Sequence, residues 1–118
     1  MNAKIFDLQP LLEAVSGETE IMSQVLSLFV TSSEEDLQSI RAAIAQGNSK
    51  NLKTAAHHLK GSLLELGAQS SVVLALQLES MGSTQQLSGA EAVLKQLETG
   101  LQELTQALKA SQYLRSAS

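Results

Sequence analysis

The chain has 118 residues, a net charge of −4 and no cysteine, which allows one domain with a modest core and excludes disulfides, thiolate metal sites and cysteine nucleophiles. The acidic balance leaves no basic stripe for nucleic acid. No apolar run is long enough to span a bilayer, and the N-terminus lacks the basic start and apolar stretch of a signal peptide, so a cytoplasmic domain without membrane contact is expected. Aromatic residues make up 3% and there is one proline, while Leu, Ala, Gln, Ser and Glu dominate, a mixture that favours helices over strands.

Taken in chain order, Asp7 can cap a short helix through Leu8, Leu11, Leu12 and Val15, with Pro10 tolerated in its first turn and Gly17 ending it. A long second helix is expected from Glu18 to Gln46. Its apolar seam is Met22, Leu26, Phe29, Leu37, Ile40 and Ile44, with Ser33 at the one polar step and Gly47 at the C-cap. Asn48 or Ser49 opens a third helix, whose seam Leu52, Ala56, Leu59, Leu63 and Leu66 runs to the Gly67–Ala68 pair. A fourth, from about Ser70 to Met81, uses Leu74, Leu78 and Met81 flanked by Val72 and Ala75; a polar loop then runs from Gly82 to Leu87. Ser88 with Glu91 has the form of a capping box for the fifth, with the regular seam Leu94, Leu97, Leu101, Leu104 and Leu108. These spacings predict an all-α protein, an antiparallel four-helix bundle with a short additional N-terminal helix, over residues 1–110, and a frayed tail over 111–118. The five seams look fully used by one chain, so a monomer is expected.

The third helix carries the chemistry, in the stretch "AAHHLKGSLLELGA". On a helical wheel His57 lies about 140° from the seam and His58 about 120° away on the opposite side, so neither faces the core. Lys60 and Gly61 follow His57 by three and four residues and share its face, with Leu64 one turn further; Thr54, Ser62 and Glu65 surround His58. Glycine inside a helix costs about 1 kcal/mol relative to alanine, and a gap on a solvent face has no packing use of its own. An exposed nucleophilic imidazole, a nearby ammonium and bare backbone together suit a bulky anionic visitor, and a phosphoryl group fits that description. Ser62 is a candidate to orient the site through its hydroxyl. A metal site on the histidine pair is not expected, since adjacent side chains diverge by about 100° and no third ligand is evident.

At these residues the sequence resembles the histidine-containing phosphotransfer (HPt) domains, carriers in multistep phosphorelays. Ala56, His57, Leu59, Lys60, Gly61, Ser62, Gly67 and Ala68 stand in register with the family motif. "SGETEIMSQVLSLFVTSSEEDLQSI" and "LQLESM" extend the resemblance from about Asp7 to Leu108. It implies that His57 carries the phosphoryl group on Nε2, that Lys60 stabilises it, that Gly61 admits a partner and that Gly67 serves helix-end packing; His58 inherits no role. The resemblance further implies a covalent phosphocarrier rather than a kinase, exchanging phosphoryl groups with response-regulator receiver domains and a hybrid sensor histidine kinase. No cofactor of its own is expected, magnesium being the receiver's. The alternative is an HPt-like adaptor that binds receivers without accepting phosphate. Leu64, large where the family is often small or polar, is expected to narrow which receivers fit. Ile21, Val25 and Leu28 on the second helix are candidates, with Leu64, for an apolar docking ring, unless the first helix covers them.

Overall fold

The computed structural model describes residues 5–114. Five helices follow one another, α1 (Gln9–Ala14), α2 (Thr19–Gln46), α3 (Ser49–Glu65), α4 (Gln69–Thr84) and α5 (Ala90–Ala110), with no strand among the described residues. Each long helix packs on the next, α5 closes the ring against α2, and α1 lies on α2. The short connections make neighbours antiparallel, as the all-α bundle reading expected.

Apolar spacing decides which face of each helix turns inward. On α2, Met22, Leu26 and Ile40 are fully buried, and Phe29 and Leu37 nearly so. Ser33 at the polar step is buried too, and its hydroxyl donates to the Val30 carbonyl 3.1 Å away. All five seam residues of α3 and all five of α5 are buried. Two seams drift from the sequence reading. Ala43, not Ile44, is the last buried residue of α2, and on α4 the inward line is Ser71, Val72, Ala75, Leu78 and Gly82, leaving Leu74 and Met81 only half-buried. Here α4 turns the small residues Ser71, Ala75 and Gly82 inward beside Val72 and Leu78, so side-chain size alone does not mark its seam.

The ends of the helices show where local signals were sufficient. Asn48 caps α3, its side chain accepting from the Asn51 amide at 3.0 Å. Gly47 takes a left-handed conformation (φ +67), and the Asn48 amide reaches back to the Ala43 carbonyl at 2.8 Å, closing α2 in a Schellman arrangement. Asp7 sits one residue outside the cap of α1 and accepts from the Gln9 amide at 3.1 Å. Three expectations need correcting. Helix α4 continues through Gly82 to Thr84, and its left-handed end falls on Gln85 (φ +59). The Ser88–Glu91 capping box does not form, because Gly89 (φ +84) occupies the cap and the helix starts at Ala90. The tail is not loose from its start: the Leu114 amide donates to the Ser111 carbonyl at 3.2 Å, and Tyr113 and Leu114 pack on the core. The remainder, 115–118, lies outside the described residues.

Candidate functional site

Helix α3 lies between α2 and α4, so its two outward flanks face different neighbours. His57 leans toward α4 and His58 toward α2. Each imidazole is exposed, 67% and 63% respectively, and each is held through Nδ1 by a carboxylate on the adjoining helix. His57 Nδ1 is 2.8 Å from Glu79 Oε2, and His58 Nδ1 is 2.8 Å from Asp36 Oδ2. An ionised carboxylate can only accept, so in both pairs the ring proton sits on Nδ1 and the Nε2 lone pair is left unengaged by its carboxylate.

The two pairs differ in their charge. Glu79 Oε1 has the Lys60 ammonium 2.7 Å away, off the axis of a well-aligned hydrogen bond, so this contact is an ion pair. Lys60 and Glu79 are both largely buried at their side chains, 20% and 17% exposed. Lys60 holds the Glu79 carboxyl below the ordinary carboxylate range; burial opposes this, and the His57 contact adds to the lowering. Glu79 thus joins imidazole and ammonium into one unit. The His58–Asp36 pair has no lysine or arginine in contact among the described residues. Placed side by side in sequence, the histidines end in different electrostatic settings because α3 turns them about 100° apart.

Gly61 lies on the exposed side of α3, and a Cβ there would meet nothing within 4 Å. Ser62, expected to help orient the imidazole, sits about 140° around the helix from His57, on the flank of His58. The group in hydrogen-bond contact with His57 is Glu79 instead. In the sequence the "LE" of "LQLESM" is only a likeness and assigns Glu79 no role. The available signal is a lone acid directly after the mostly apolar stretch Val72–Leu78, 22 residues beyond His57.

Gly67 takes φ +63 at the end of α3, and the N-terminal segment crosses directly over it. A Cβ would fall 2.8 Å from the Asp7 carbonyl oxygen, and the Asp7 amide donates to the Leu66 carbonyl at 2.9 Å. Of the candidate docking residues, Leu28 (69%), Leu64 (54%) and Ile21 (39%) are exposed, while Val25 is half-buried. Helix α1 therefore leaves Ile21 and Leu28 open. Val73 and Leu76 on the outer side of α4 are exposed as well, at 61% and 49%, and no sequence expectation covered them. Among the described residues no three His, Asp or Glu gather where a metal could be held, and no helix is long and apolar enough to cross a membrane.

Fold and site together define a helical bundle that displays an imidazole, oriented by a carboxylate–lysine pair, on the face of one helix. The Hpt domain model matches residues 24–109, and the chain belongs to that family, the histidine phosphotransfer domains of phosphorelays. Among solved structures, the histidine-containing phosphotransfer protein B (HptB) from Pseudomonas aeruginosa PAO1 is similar over 92% of this chain and 94% of that one, with a TM-score of 0.84 and 27% identity. A search of curated proteins gives no match.

Proposed function

We propose that the protein accepts a phosphoryl group on His57 Nε2 from the phosphoaspartate of a receiver domain and passes it to the aspartate of a second receiver. The observation that carries this reading is the contact of Glu79 with His57 Nδ1 on one oxygen and Lys60 on the other. With Nδ1 protonated and engaged, Nε2 is the ring's only nucleophilic nitrogen, and the ring is largely exposed to a partner.

In the forward step the Nε2 lone pair forms the N–P bond as the P–O bond to the aspartyl carboxylate breaks. The aspartate leaves as a carboxylate, and the imidazole gains a positive charge while keeping its Nδ1 proton. No proton need be transferred. Glu79, held ionised by Lys60, lies 2.8 Å from that proton and offsets the charge that develops on the ring. The ammonium of Lys60 has three donors, so it can hold Glu79 and still turn a proton to a phosphoryl oxygen one helical turn from the imidazole. Phosphoryl transfer is mainly positioning and charge stabilisation, and the receiver would supply the magnesium ion and the acidic pocket. On this reading the chain is a monomeric cytoplasmic carrier without kinase activity, without a metal or cofactor of its own. Its partners are receiver domains and a hybrid sensor histidine kinase. Gly61 gives the receiver room, and Ile21, Val25, Leu28 and Leu64 supply apolar contact.

Incubation with phosphorylated receiver domains tests this directly. An acid-labile, alkali-stable label should appear on the wild type and on His58→Gln, and be absent from His57→Gln. Receiver binding without any label would favour the adaptor alternative, and a label surviving in His57→Gln would refute the assignment.

A further inference from the structure

Two glycines interrupt the helices beside His57, and their surroundings are opposite. A Cβ on Gly61 would enter open space. One on Gly82 would lie 2.7 Å from the Ser49 carbonyl oxygen, 2.7 Å from the Lys53 amide nitrogen and 3.0 Å from Lys53 Cα. All three are backbone atoms at the start of α3, and Ser49 and Lys53 stand at the i, i+4 spacing of the helical hydrogen-bond ladder. No rotamer change can make room for a methyl group there, so α4 itself would have to move.

The close approach lies one turn from the site on both helices. Gly82 follows Glu79 by three residues, and Lys53 precedes His57 by four. The separation of α3 and α4 at Gly82 is therefore close to the separation that Glu79 must bridge. Relieving the 2.7 Å contacts to ordinary van der Waals distance opens the pair by roughly 0.7 Å. The same displacement would stretch the 2.8 Å contact between Glu79 Oε2 and His57 Nδ1 to roughly 3.5 Å, the limit of a hydrogen bond.

We propose that Gly82 is a positioning residue for the phosphoacceptor: its missing side chain seats α4 against the α3 backbone, which keeps Glu79 in reach of His57 Nδ1 and fixes the tautomer with Nε2 free. The kinetic consequence rests on the phosphocarrier reading of His57; the tautomer consequence does not. Gly82 thus has a packing purpose for the helix-weakening residue that Gly61 lacks.

Long-range 1H–15N correlation spectra of the imidazoles report which ring nitrogen carries the proton. With the ring neutral, wild-type His57 should be protonated on Nδ1. In Gly82→Ala it should revert to a mixture rich in the Nε2–H form that an unconstrained histidine side chain prefers in water. Transfer from a phosphorylated receiver should slow about tenfold, as for loss of a group that orients a reacting histidine. Glu79→Gln should slow transfer too, and the double variant should be no slower than the slower single one, because both changes break one contact. Gly100→Ala serves as the packing control. Its Cβ would meet only the Ser71 hydroxyl, at 3.0 Å, between α4 and α5, so tautomer and rate should stay as in the wild type. If Gly82→Ala populates unfolded chain, the spectra are recorded in a stabilising osmolyte that restores the fold.

A folded Gly82→Ala that keeps Nδ1–H at His57, or rate losses that multiply in the double variant, would overturn the proposal. A wild type with the Nδ1–H tautomer that takes no label from any receiver would instead overturn the phosphocarrier reading and leave the positioning role standing.

Discussion

Replacing Gly61 with alanine should make the protein more stable and less active at once. Gly61 lies inside α3, its φ is not left-handed, and an added Cβ would meet no atom within 4 Å. Nothing in the folded chain opposes the methyl group, so the full helix-propensity difference of about 1 kcal/mol should appear as stability. For a chain of 118 residues the unfolding entropy is about 0.25 kcal/mol/K, so Tm should rise by about 4 °C. The cost should fall on the partner. The methyl would stand on the face shared by His57 and Lys60, where on the proposed reading a receiver brings its phosphoaspartate into line, and displacing reacting groups by about 1 Å costs on the order of 100-fold in rate. Thermal melts by circular dichroism and single-turnover transfer from a phosphorylated receiver give the two numbers. A lower Tm would refute the reading of Gly61 as facing open space. A stabilised variant that transfers at the wild-type rate would refute its role in partner access.

The Glu79 carboxyl should titrate below the ordinary value of about 4.3, followed through its 13C shift, and Lys60→Met should move it upward; an ordinary midpoint in the wild type would contradict the coupling to Lys60. Because the folded-state pKa is depressed, the ion pair's contribution is complete above the unfolded carboxylate pKa and is lost as pH falls through the folded value. The stability gap between wild type and Glu79→Gln should therefore close as the pH falls through the folded value. His58→Gln and Asp36→Asn should each cost about 1 kcal/mol or less in denaturant melts and leave phosphoryl transfer unchanged; a loss of transfer with the fold intact would assign His58 a role it is denied here. Leu28→Glu places a charge at a position that is already 69% exposed, so the fold should tolerate it, while transfer from a cognate receiver should slow; an unchanged rate would remove Leu28 from the docking surface.

The sequence carried the bundle because its cues were local and repeated. Leucines at spacings of three and four decide an inward face, and Gly47 or Asn48 marks an end by its own backbone preference. The exposed flank of His57, with Lys60 and Gly61 beside it, was legible for the same reason, being a property of one helix. What stayed hidden depends on two helices at once. Glu79 meets His57 only after α3 and α4 pair, and no spacing along the chain records a contact across 22 residues. Gly82 reads as a loop residue because glycine is a stop signal in isolation; its use in a close helix crossing appears only when the Ser49 carbonyl lies against it. Val73 and Leu76 went unremarked because an apolar residue on α4 looks like core until the inward line through Ala75 and Leu78 is known.

Phosphorylated protein prepared with 15N-labelled histidine allows one-bond 31P–15N coupling to be assigned to a ring position. Coupling to Nε2 of His57, with the proton still on Nδ1, is the expected result. Phosphorus on Nδ1, or on His58, would mean that Glu79 does not set the geometry of the acceptor and would contradict the mechanism drawn from it.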